Sequence, residues 1–124
     1  MLINTPISLG ELVDKISILI IKQKNITDET KLDHVKKELD FLQKTLMNYV
    51  QQKEINTYLE NLININSKLW NIEDDIRECE RKKLFDQTFI DLARSVYFTN
   101  DERAKVKNDI NKNFGSELVL SLIH

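Results

Sequence analysis

One stretch, Leu62 to Asn111, holds the residues best suited to chemistry: the only tryptophan, the only cysteine, all four arginines and the densest run of acids. Trp70, Asp74 and Arg77 stand at i, i+4 and i+7, so on a helix they stack along one side, with Glu73 beside Arg77. An aromatic platform flanked by an acid and a guanidinium suits a small polar ligand or a partner helix. The same spacing also serves plain helix-surface ion pairs, with Trp70 packed on a neighbour, at a few tenths of a kcal/mol per pair.

A second group reads Arg94-x-x-Tyr97-x-x-Asn100-Asp101-x-Arg103. A helix starting at Asn100-Asp101 would expose unpaired N–H groups beside two arginines, a setting that binds anions. Alternatively, Asn100 and Asp101 cap that helix while Arg94 and Arg103 pair with the acids of 73–80. Carboxylates offer a third chemistry. Glu11 and Asp14 share a helix face at i, i+3, and Asp74 and Asp75 lie in the acidic run. Together they would suit a magnesium-dependent hydrolase or mutase, since hard cations take several carboxylate oxygens. Lys and Arg interleave these acids, which speaks for solvated ion-paired faces.

Other chemistries lack their residues. His34 and His124 are isolated, no zinc spacing occurs and no glycine-rich phosphate loop is present, so no cofactor is expected. Cys79 sits among apolar positions, where a structural thiol is expected. A net charge of −2 with no basic stripe argues against nucleic acid.

The elements that position these residues are helical. Two glycines and one proline among 124 residues leave little turn punctuation, and 41% hydrophobic content is enough for one core. Ser8 with Glu11 forms a capping box opening a helix over 8–24, with Leu9, Leu12, Val13, Ile16, Ile20 and Ile21 apolar. A second helix over 28–51 carries Leu32, Val35, Leu39, Leu42, Leu46 and Tyr49 at alternating steps of three and four. A third over 55–82 repeats the pattern with Ile55, Tyr58, Leu62, Ile65, Leu69, Ile72, Ile76 and Cys79. Two such seams joined by the short link 51–54 predict an antiparallel coiled-coil hairpin. A fourth helix over 86–98 is expected to break at Thr99-Asn100, where Thr99 and Glu102 make another capping box, and to restart over 100–114 before Gly115.

The expected architecture is therefore a single all-α domain: a coiled-coil helical hairpin with an N-terminal helix and a broken C-terminal helix packed at its base. The apolar tail SELVLSLIH is expected to dock on this bundle or on a partner. No signal peptide or membrane span is found, and a cytoplasmic protein is expected. Helix one has more apolar surface than one contact uses, which points to a homodimer or a protein partner.

The segments LWNIEDDIRECER and DLARSVYFTNDERAKVKNDIN, with the opening SLGELVDKISILIIK, resemble a small all-α family of bacterial and phage proteins of unassigned function. The resemblance covers nearly the whole chain. It implies an all-α protein and a link to surface-polysaccharide pathways, and it brings no catalytic residues. The function expected is a helical binding or assembly module using Trp70, Asp74, Arg77, Arg94, Tyr97, Asn100, Asp101 and Arg103. The rival is the magnesium enzyme.

Overall fold

The structure is a computed structural model that describes residues 1–115. Among these residues there are four helices and no strand: α1 (Leu9–Asn25), α2 (Glu29–Met47), α3 (Gln52–Lys82) and α4 (Gln87–Asn113). The tail 116–124 lies outside the described residues.

Side-chain caps account for three of the four helix starts. Ser8 Oγ accepts the Glu11 N–H at 3.2 Å, Asp28 Oδ1 the Lys31 N–H at 3.0 Å, and Asp86 Oδ1 the Phe89 N–H at 3.3 Å. Each occupies an amide that the helix itself leaves free. The first capping box is only half formed, because the Glu11 carboxylate turns to Lys107 instead of reaching back. α3 ends at Lys83 in the left-handed region (φ 56°), where the Leu84 N–H donates to the Cys79 carbonyl at 2.9 Å and closes the helix. Gly115 also has positive φ (66°), just past the end of α4.

α1 is the central helix. It packs against α2, α3 and α4, while α3 runs along α4. Its apolar side feeds a core made of Leu12, Val13, Ile16 and Leu19 with Val35, Leu39, Leu46, Ile55, Leu59, Leu62 and Ile110. This corrects the expected pairing: α2 and α3 approach little along their lengths, and both lean on α1. Heptad-like spacing marks which face of a helix is buried. It does not choose the partner.

The buried register on α3 differs as well. The deeply covered positions are Ile55, Leu59, Leu62, Asn66, Leu69 and Ile72, so Leu59 and Asn66 take the places expected for Tyr58 and Ile65, which are half-buried. Tyr49 lies past the end of α2 and is exposed. The expected break in α4 does not occur. The helix runs unbroken through Thr99, which is buried inside it rather than capping a new one. Thr99 thus sits buried in the interior of one helix where local sequence favours a restart.

Burial is uneven along the α3–α4 pair. Between Ile72 and Thr99 no residue is buried, although both helices continue and the turn between them carries exposed Leu84 and Phe85. This part is a two-helix arm extending from the core. Phe85 and Phe89 meet edge to face at its tip, with centroids 5.2 Å apart.

Candidate functional site: a buried ionic clasp and the cleft above it

A second stripe of α1, Gly10-Asp14-Ser17-Ile21, runs beside the apolar one and is wholly buried. A helix covered on two sides must place something on each. Here the second side carries small and polar groups that α3 and α4 must satisfy. Gly10 comes so close to the Lys107 carbonyl that a Cβ there would collide with it. Its N–H donates to Asn111 Oδ1 at 2.7 Å, so α4 supplies the partner that the first turn of α1 lacks.

One turn on, Asp14 is fully buried and completely engaged. Arg103 grips it with two bonds, Nε to Oδ1 at 2.9 Å and Nη2 to Oδ2 at 2.5 Å. Asn66 Nδ2 donates to Asp14 Oδ1 at 2.9 Å and to Ser17 Oγ at 2.8 Å. The Ser17 hydroxyl donates in turn to the Asp14 carbonyl at 2.6 Å. Lys107 Nζ stands 3.8 Å from Asp14 Oδ2 and pairs with Glu11 at 2.9 Å. The network ties α1, α3 and α4 together through one carboxylate. The hydrogen bond to Asp14 holds the Arg103 guanidinium even more firmly protonated than usual. Burial opposes this, and the charges of Asp14, Glu11 and Glu73 reinforce it.

Above the clasp, between α1 and α4, opens a cleft of about 620 Å³ whose lining includes Glu11, Tyr97, Asn100, Asp101, Arg103 and Lys107. Four of the eight residues expected to form a site thus come together: Tyr97, Asn100, Asp101 and Arg103. The other four lie apart. Arg94 sits on the outer side of α4, its guanidinium 5.9 Å above the Phe98 ring. Asp74 and Arg77 pair with each other at 3.3 Å on exposed α3 and line a separate shallow depression. Trp70 is half-buried and lines neither. The expected pairing of Arg94 and Arg103 with the acids of 73–80 is replaced by the Phe98 stack and the Asp14 clasp.

The carboxylates of the magnesium reading are dispersed. Asp14 is spent on Arg103 inside the bundle, while Asp74 and Asp75 face solvent on α3. Among the described residues no group of three or more His, Cys, Asp or Glu stands close enough to hold a metal. Reasoning from sequence passed over Ser17, Asn66, Lys107, Asn111 and Gly10. Part of their signal was present, in the small and polar residues Gly10, Asp14 and Ser17 recurring at helical spacing beside the apolar stripe of α1, whereas Asn66 stands one position beyond the expected seam residue Ile65.

No helix among the described residues is long and apolar enough to cross a membrane. A family model described as a family of unknown function (DUF6165) matches residues 3–121. No curated protein and no solved structure matches the chain.

Proposed function

The chain belongs to this family of unknown function, and from its own residues we propose that it is a small helical binding or assembly module. Its contact surface is the exposed side of α4, where Tyr97, Asn100 and Asp101 border the cleft and Arg94 stands outside it over Phe98. The observation that carries this reading is the state of Tyr97 and its surroundings. Tyr97 is 76% exposed on an arm without a single buried residue, next to Phe98 at 60%. Large aromatic side chains gain most from burial and dominate contact energetics, so a rigid helix face that presents two of them is built for a partner. Beneath them the Asp14–Arg103 clasp fixes how α4 lies on α1, giving the surface a defined shape.

The clasp itself offers little to catalysis. Both Asp14 oxygens are engaged by Arg103 inside the bundle, so the carboxylate serves to join α1 to α4. Arg103 therefore belongs to the support of the surface. Asp74, Arg77 and Trp70 stand outside it. The link to surface-polysaccharide pathways rests on the resemblance alone, and no feature of the cleft adds to it.

The test is retention from an extract of the cells that carry the gene, on immobilised wild-type chain and on Tyr97→Ser. A component held by the wild type, the chain itself included, should fall at least tenfold on the variant while its melting temperature stays unchanged. Equal retention on both would sink the reading.

A further inference from the structure

We infer that the partner of this α4 surface is a second copy of the chain, docked antiparallel α4 on α4 about a two-fold axis beside Tyr97 and Phe98. The inference rests on the contact surface proposed above and names its occupant. Ile90, Arg94, Tyr97, Phe98, Asp101 and Lys105 fall on one face of α4 at helical spacing, and all six are exposed. Their order is self-complementary. An antiparallel two-fold axis midway between positions 97 and 98 sets residue i of one copy against the residue of the other whose number sums with it to 195. Arg94 then meets Asp101 of the partner subunit, and Tyr97 meets Phe98 of the partner subunit. Ile90 lies under the aliphatic stem of the partner's Lys105. An isologous interface requires this reciprocity, because each contact must occur twice.

Two observations favour a second copy over an unrelated partner. First, among the described residues Arg94 has no carboxylate partner and Asp101 has no cation. These opposite charges sit two helical turns apart, on either side of the aromatic pair. A single chain cannot join them to each other across that distance, and two chains can. Second, the same docking lays each uncovered arm across the body of its mate, where the exposed stretch of α4 continues to Lys105. The cation–π contact with Phe98 already holds the Arg94 guanidinium on the stripe. The stripe offers six side chains, well below the roughly 20–30 residues a side of a standard interface. Association in the micromolar range is therefore expected.

The test is sedimentation velocity on the purified full chain from about 1 to 200 µM at low salt, where exposed ion pairs count most. Wild type should pass from monomer to dimer across this range. Arg94→Asp and Asp101→Arg, both on exposed helix positions, should each weaken the dimer at least tenfold by setting like charges opposite one another. The double variant R94D/D101R should return to within about threefold of wild type, since the swapped charges again face their opposites. Tyr97→Ser is a second, charge-neutral variant and should also weaken the dimer. Helicity and melting temperature monitor folding throughout. A wild-type chain still monomeric at 200 µM overturns the inference, as does a double variant no better than either single. If the chain is monomeric yet Tyr97→Ser still loses a component retained from extract, the contact surface stands and its occupant is a different protein.

Discussion

Replacing Arg103 with methionine keeps the length and much of the apolar stem of the side chain while removing the guanidinium. Asp14 would then be left as a fully buried carboxylate, held only by one Asn66 N–H at 2.9 Å and by Lys107 at 3.8 Å. Removing one member of a buried pair typically costs about 3–5 kcal/mol, because the remaining charge is desolvated without compensation. Lys107 lies near enough to recover part of this, so we expect a loss of about 3 kcal/mol. For a domain of this size that corresponds to a fall of roughly 10–15 °C in melting temperature. Changing Asp14 to asparagine in the same chain removes the stranded charge, while its side-chain oxygen still accepts from Asn66. The double variant Asp14→Asn/Arg103→Met should therefore recover at least half of the lost stability. Asp14→Asn alone, which leaves Arg103 facing a neutral amide, should be clearly destabilised. Urea unfolding followed by circular dichroism measures all four chains and closes a double-mutant cycle, with a constant denaturant slope as the check on two-state behaviour. A single variant within about 1 kcal/mol of wild type, or single effects that simply add, would refute the clasp as a coupled buried unit.

Two further substitutions probe how the helices are held, and the charge-swap and Tyr97 experiments above complete the set. Gly10→Ala drives a methyl group into the Lys107 carbonyl, a backbone atom that cannot rotate away. It should cost about 1–3 kcal/mol by forcing α1 off α4, and a thermal melt unchanged from wild type would contradict the close crossing. Lys83→Gly removes a side chain from a left-handed position at φ 56°. It should stabilise the chain by up to about 1 kcal/mol; a lower urea midpoint would mean that the lysine side chain contributes more than its backbone strain costs.

The sequence by itself determined the helical class, the helix starts at Ser8 and Asp86, and most of the residues facing the core. These depend on local matters: which side chain can cap a free amide, and which apolar positions recur at 3.6-residue spacing. It also pointed to Tyr97, Asn100, Asp101 and Arg103 as neighbours, because one helix carries them all. Only the tertiary structure decided which helix each seam meets. Apolar stripes on α2 and α3 are equally satisfied by each other or by α1, and α1, covered on two sides, takes both. Tertiary packing also overrode the local restart signal at Thr99, which lies buried within one continuous helix. The role of Asp14 was the furthest from view. As one of two acids at i, i+3 it entered only the rival magnesium reading, and nothing near it in the chain indicates that Asn66 and Arg103, 52 and 89 residues away, converge on it. A buried charge takes its meaning from the partners that desolvate with it, and those partners are brought together by the fold alone.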